Sequence, residues 1–176
     1  VPQRDPLANV EPLIRRVYGY VAYRIGDGAD AEDVTSETFE RALRYRDGFD
    51  PKKGEPISWL IGIARRCIAD AMVRPEQPVA DVPDGAVEGH EEQSLRSLEI
   101  RTAVARLDVR DRELIALRYG ADLSAKRIGE VLGLRTNAVE VALHRALGRL
   151  RAELDRPDID EISAASPWIS SVDSVL

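Results

Sequence analysis

The side chains best placed to do chemistry lie in the stretch LSAKRIGEVLGLRTNAVEVALHRALGRLRAEL, residues 123–154. Lys126, Arg127, Arg135, Arg145, Arg149 and Arg151 are cations spaced along it, suited to neutralising phosphates. Asn137 can pair with adenine through its amide, and Glu140 can accept from the amino group of cytosine. This is the chemistry of gripping a polyanion and reading its base edges, with no bond made or broken. The competing reading is a plain helical hairpin whose charges face water, because helix–glycine–helix is a short and permissive pattern.

Positioning those groups takes two helices and a sharp turn. Ser124 is an N-cap for AKRIGEVL, Gly133 lets the chain turn, and a last helix runs from about Thr136 to Leu154. Ile128, Val131 and Leu132 must then face Val139, Leu143, Ala146, Leu147 and Leu150. The other side of the second helix presents Asn137, Glu140, Val141 and His144, with Arg145 beside them. Its first turn can approach phosphates through free N–H groups.

The whole chain, at 176 residues and net charge −6, has the wrong sign for a DNA ligand. Divided along the sequence, the charge resolves. Residues 1–74 balance, residues 99–154 are net positive, and the excess acid sits in residues 75–98 and 155–176. Hydrophobic residues at 44% and charged residues at 32% fit a water-soluble globular protein, and aromatics at 5% favour helices over sheets. No apolar run is long enough to span a bilayer, and the start shows no signal-peptide pattern. A single cysteine, Cys67, points to a reducing compartment, with the cytoplasm as default, and with only His90 and His144 beside it no Cys/His metal site is expected.

The rest of the chain also reads as helix. Val10, Leu13, Ile14, Val17, Tyr18, Val21 and Ile25 recur at helical spacing, and GDG (26–28) ends the run. Asp30 is a candidate N-cap for a helix reaching about Arg46; DGFDPKKGEP (47–56) is a turn-rich loop. Pro56 starts a helix burying Ile57, Leu60, Ile61, Ala64, Ile68 and Ala71. Two further helices are expected at LEIRTAVARL (98–107) and VRDRELIALRYG (109–120). The expected class is all-α: two small helical domains joined by a flexible linker, the second with a helix-turn-helix. The boundaries are 1–74, an acidic Pro/Gly linker at 75–97, 98–154, and an acidic tail at 155–176. The tail carries Ile159, Ile162, Trp168 and Ile169, and folding back onto a basic or apolar surface competes with a solvated end.

At this point the sequence resembles a known family. LDVRDRELIALRYGADLSAKRIGEVLGLRTNAVEVALHRALGRLRAEL (107–154) resembles the promoter-reading C-terminal domain of bacterial sigma factors. DAEDVTSETFERALRYRDGFDPKKGEPISWLIGIARRCIADAMVR (30–74) resembles the N-terminal domain of their compact extracytoplasmic-function (ECF) group. One helix-turn-helix is weakly diagnostic; the two blocks in this order are far more specific. The resemblance implies binding to RNA polymerase core through the β′ clamp helices and β flap, and to promoter DNA. It also admits an anti-sigma factor as partner, with no membrane insertion and no cofactor.

By the same resemblance, Asp33, Glu37, Phe39, Glu40 and Arg41 match the surface that docks on polymerase. Without it, this is an ordinary solvated helix face. Asp50, Lys52, Lys53, Trp59, Arg65 and Arg66 match the loop and helix that capture an unstacked base of the −10 element. The physics suits a cationic, aromatic-bearing loop, while Trp59 read by itself is a core residue. Lys126, Arg127, Arg135, Thr136, Asn137, Glu140, Val141, His144, Arg145 and Arg149 match the −35 reader. Family members often carry Lys-Ser-Arg where this chain has Glu140-Val141-Ala142, which removes positive charge from the reading face. They also often have a further base at Gly62, and a run of arginines where only Arg74 remains.

The function implied is promoter-specific transcription initiation: reading −35 and melting −10 DNA on behalf of polymerase. Two alternatives belong to other classes. One is a sigma mimic that sequesters an anti-sigma factor, which the acidic balance favours and the retained arginines oppose. The other is a plain helix-turn-helix regulator, which leaves the first block unexplained. An enzyme is the weakest reading, since no motif gathers a nucleophile with a base and GDG follows no strand signal.

Overall fold

The computed structural model describes residues 5–73 and 91–156; most of the expected linker and nearly all of the acidic tail lie outside the described residues. Helix α1 (Val10–Ile25) ends where Gly26 takes a φ of 100°, open to glycine and costly for other residues. Helix α2 (Ala29–Arg44) is preceded by Gly28, with Asp30 in its first turn. Asp30 is therefore not the cap: its carboxylate sits near the positive helix end without bonding a free N–H. The threonines buried in α2 return their hydroxyls to the preceding turn, Thr35 to the Ala31 carbonyl and Thr38 to that of Val34, each at 2.7 Å.

A 3₁₀ turn (Arg46–Gly48) leads into the loop before α3 (Pro56–Val73). Helix α3 buries Ile57, Leu60, Ile61, Ile63, Ala64, Cys67 and Ile68; Ala71, expected inside, is half-buried at the edge. Helix α4 (Glu91–Arg106) begins earlier than its expected start at Leu98, through a stretch with neither glycine nor proline to stop it. Helix α5 (Val109–Ile115) is capped by Asp108, whose Oδ1 accepts from the Asp111 N–H at 2.8 Å. It widens into a π-helical turn at Ala116–Gly120 before α6 (Ala125–Leu132) and α7 (Thr136–Leu154).

The all-α class stands, and the described residues contain no strand. The two modules, however, pack on each other. Val17, Tyr20, Val21, Leu60 and Ile61 share one apolar cluster with Leu114, Leu117, Leu123 and Ile128. Val10 and Ile14, expected in the core, stay exposed, while Tyr20, absent from the expected stripe, is wholly buried. The stripe of α1 is rotated because its inner face meets the second module as well as α2 and α3.

Candidate nucleic-acid interface

The turn between α6 and α7 needs two glycines. Gly133 has a φ of 68° and donates its N–H to the Gly129 carbonyl. A Cβ on Gly129 would stand 2.5 Å from the Leu134 carbonyl oxygen, so Gly129 is what lets the chain pass so close. Its role is invisible in the sequence. Ser124 caps α6 as expected, its Oγ accepting from the Arg127 N–H at 3.3 Å. Ile128 and Val139 are fully buried where the two helices meet. Ala146, Leu147 and Leu150 pack instead with Val104, Leu107 and Ile115, because α7 outruns the short α6 and its second half lies on α4 and α5.

The cations divide into two sets. Lys126, Arg135, Arg145 and Arg151 are exposed and make no side-chain bond among the described residues, as do Asn137, Glu140 and His144 beside them. Val141, 51% exposed, adds an apolar contact to that face, and half-buried Thr136 opens α7. Arg127 and Arg149 are occupied. Arg127 reaches Glu130 and Glu55, both at 2.7 Å, and these bonds raise its pKa. Arg149 grips the buried carboxylate of Asp111, which likewise raises the guanidinium pKa.

The second expected site is the loop before α3. Asp50 Oδ1 accepts from the Lys52 N–H at 3.0 Å, a turn that leaves the Lys52 and Lys53 side chains in solvent. Phe49 is buried, its ring centroid 5.4 Å from that of Trp59 and tilted by 55°. Trp59 is half-buried: it packs against the core and also lines a groove of about 260 Å³ with Phe49, Asp50, Lys53 and Ser58. Ser58, not singled out in sequence, has a buried Oγ without a hydrogen-bond partner among the described residues. Glu130 and Val131 of α6 form part of the same wall. Arg66 is exposed and unpaired among the described residues, whereas the Arg65 Nε lies 3.2 Å from Glu113 Oε1.

On α2, Asp33 and Glu40 are exposed and Glu37 is half-buried. Phe39 packs partly on the core. Arg41 bonds Asp70 at 2.7 Å and Glu37 at 2.6 Å, which together raise its pKa, so the exposed position expected for it is a half-buried, clamped one. Among the described residues no group of side chains could hold a metal ion, and no helix is long and apolar enough to cross a membrane.

Nothing in the sequence singles out Glu113. It is 8% exposed on α5, and both its oxygens accept from the Tyr20 hydroxyl, at 3.0 and 3.1 Å. Arg24 and Arg65 pair with the same carboxylate. Burial raises the Tyr20 pKa, which keeps its proton in place as the donor.

Residues 10–76 match sigma-70 region 2 and residues 97–150 match sigma-70 region 4, which makes the protein a helical factor of the sigma-70 class. The ECF RNA polymerase sigma factor ShbA of Streptomyces griseus is 34% identical over 84% of this chain and 85% of its own length. SigD of Mycobacterium tuberculosis is 31% identical over 86% of this chain and 76% of its own. BldN of Streptomyces coelicolor is 35% identical over 76% of this chain, which spans only 54% of that relative. The fold aligns with the sigma factor RpoE of Bartonella quintana in complex with the anti-sigma factor NepR, at a TM-score of 0.58 and 21% identity over 82% of this chain and 94% of that one. It aligns with CnrH in complex with the cytosolic domain of CnrY at 0.57 and 26% identity, over 82% and 80%. The chain belongs to the ECF group of RNA polymerase sigma factors.

Proposed function

We propose that this chain binds RNA polymerase core and directs it to promoters, with the work divided between its two modules. The start of α7 enters the major groove at −35, where Asn137, Glu140, Val141 and His144 meet base edges and Arg135, Thr136 and Arg145 meet the backbone. The loop before α3 receives an unstacked −10 base in the groove between Phe49, Ser58 and Trp59, with Lys52, Lys53 and Arg66 on the strand. The orphan Ser58 hydroxyl supplies a donor or acceptor to that base. Asp33 and Glu40 on α2 meet the β′ clamp helices, with Glu37 and Arg41 held in place by their own ion pair. Binding energy, rather than catalysis by this chain, favours the melted −10 region, and the work takes place in the cytoplasm beside polymerase and DNA.

The observation that carries this reading is the division of the cations. Those at the start of α7 and in the loop have no partner among the described residues, where a merely structural hairpin has no use for them. Polymerase supplies much of the remaining phosphate contact, which reconciles DNA reading with a net charge of −6. The test is co-purification with core polymerase, run-off transcription, and sequencing of the bound promoters. Association plus promoter-dependent transcript supports the reading. Failure to bind core overturns it, and binding without transcript marks a mimic.

A further inference from the structure

A cavity of about 390 Å³ lies between α1 and α4, and none of the residues proposed to meet polymerase or DNA lines it. Ala22 and Ile25 of α1 and Ile100 and Val104 of α4 give it mainly apolar walls, with Tyr18 and Tyr23 beside them. Its size falls at the small end of the range that ligand pockets span, about 300–1,000 Å³.

Four charged residues share the lining: Arg24, Asp27, Arg101 and Arg112. Three of them are matched. Arg24 pairs with Glu113, and Arg101 pairs with Asp27, which also accepts from the Tyr18 hydroxyl. Arg112 is the cation left over. Its Nη2 donates to the Ala105 carbonyl at 2.6 Å and the Leu107 carbonyl at 3.0 Å, and its Nη1 to the Arg24 carbonyl at 3.5 Å. All three acceptors are neutral main-chain groups, and no carboxylate pairs with Arg112 among the described residues. Its Nε is buried and meets no acceptor among them at all. An unmade hydrogen bond at a buried donor costs the desolvation of that donor, and more when the group is charged. A water molecule would satisfy the N–H but leave the charge unmatched; a carboxylate answers both needs.

We propose that this cavity is a binding site for a small organic monoanion. The ligand is a carboxylic acid whose apolar body fills the space between α1 and α4 and whose carboxylate accepts from Arg112. One unmatched cation sets its charge, and the volume and apolar walls set a compact aromatic or short aliphatic body. A phosphate ester fits worse, because its second charge finds no free cation and its oxygens find little polar wall. The site stands apart from the sigma-factor reading, so its test needs neither polymerase nor DNA.

The test titrates the full, ¹⁵N-labelled chain with 3-phenylpropionate and, separately, octanoate, followed by two-dimensional NMR. Both acids give saturable shifts at the amides of residues 18–27 and 97–105, and they move the Arg112 Nε–H signal. The neutral 3-phenylpropionamide and the cationic 3-phenylpropylamine bind about tenfold or more weakly, as loss of a charge-assisted hydrogen bond requires. Ala22→Phe, at a half-buried wall position, fills the space and abolishes the shifts. Arg112→Lys keeps the charge but lacks the Nε donor, and weakens both acids about tenfold. If its spectrum loses dispersion, Ala22→Phe and the amide comparison decide the matter. Three results overturn the site: no saturable shift with either acid at several millimolar, amide or amine binding as well as the acids, or Ala22→Phe binding unchanged. Unsaturated shifts spread over the exposed arginines mark surface association only, and overturn it equally.

Discussion

Arg149 holds Asp111 in a fork: its Nη2 lies 2.7 Å from Oδ1 while Nε donates to Oδ2. The pair pins the second half of α7 to the first turn of α5, at a carboxylate only 3% exposed. It makes Arg149 a structural residue among neighbours proposed to touch DNA. Arg149→Ala leaves a buried carboxylate without its partner, so its melting temperature falls. Arg149→Lys keeps the charge but not the two parallel bonds, and recovers only part of the loss. The salt dependence of −35 duplex binding separates the roles: Arg145→Ala lowers the log–log slope by about one, Arg149→Ala leaves it unchanged. A reduced slope for Arg149→Ala, with thermal stability intact, would place it on the phosphates after all.

On the face of α7 proposed to read −35, Asn137 and Glu140 stand one helical turn apart and both are exposed. Asn137→Ala removes an amide able to pair with adenine and changes the preferred −35 sequence, at a cost of about 1–3 kcal/mol on the best site. Glu140→Lys swaps a repelled carboxylate for a cation, so it raises affinity for all duplexes and relaxes selectivity. Selection of −35 sequences by the polymerase-bound chain checks both. Identical sequence preferences for the two variants and the unaltered chain would contradict the placement of α7 in the groove.

Much of this site is legible in the amino-acid sequence. Periodicity gives α1 and α3 their bounds, Ser124 announces the start of α6, and Gly133 its end, because these are local effects written within a few residues. The cations are legible as a set but not as individuals. Arg145 and Arg149 lie four residues apart on one helix, and only the arrival of Asp111 from α5 distinguishes a free guanidinium from an occupied one. Gly19, Tyr20 and Glu113 are out of reach for the same reason. Gly19 and Tyr20 meet Gly120 and Glu113 some ninety to a hundred positions away, and Glu113 looks like any helix-surface carboxylate until Tyr20, Arg24 and Arg65 close over it. Ser58 needs the pocket itself, since an orphan hydroxyl is defined by what fails to meet it.

The groove proposed for the −10 base makes a separate demand. Lys52 is exposed and its side chain has no partner among the described residues, so Lys52→Ala spares folding and −35 binding while reducing strand opening. Trp59 both packs on the core and lines the groove, and its two roles come apart by ring size. Trp59→Phe keeps an aromatic face and most of the melting activity, whereas Trp59→Ala loses melting and stability together. Permanganate reactivity of −10 thymines in the polymerase complex reports opening, and duplex retention reports −35 binding. Equal losses in both readouts for Lys52→Ala would break the proposed division between modules.

Cys67 gives a readout of the fold itself. It is wholly buried on α3, and burial pushes its thiol up from the ordinary value. A raised native pKa means that the contribution to stability is complete below the unfolded thiol's pKa, about 8.5, and is lost as pH rises through the native value. The native chain at pH 8 therefore reacts with a disulfide reagent only as fast as it opens, and mild denaturant accelerates the reaction. Above about pH 9 the unaltered chain loses stability more steeply than Cys67→Ala, whose side chain has no proton to lose. Tyr20, raised by burial as well, adds its own loss at higher pH, so the comparison belongs in the window below about pH 10. Rapid labelling of the native protein at pH 8, or parallel pH profiles for the two chains in that window, would show that the α3 core is open to solvent where the structure has it closed.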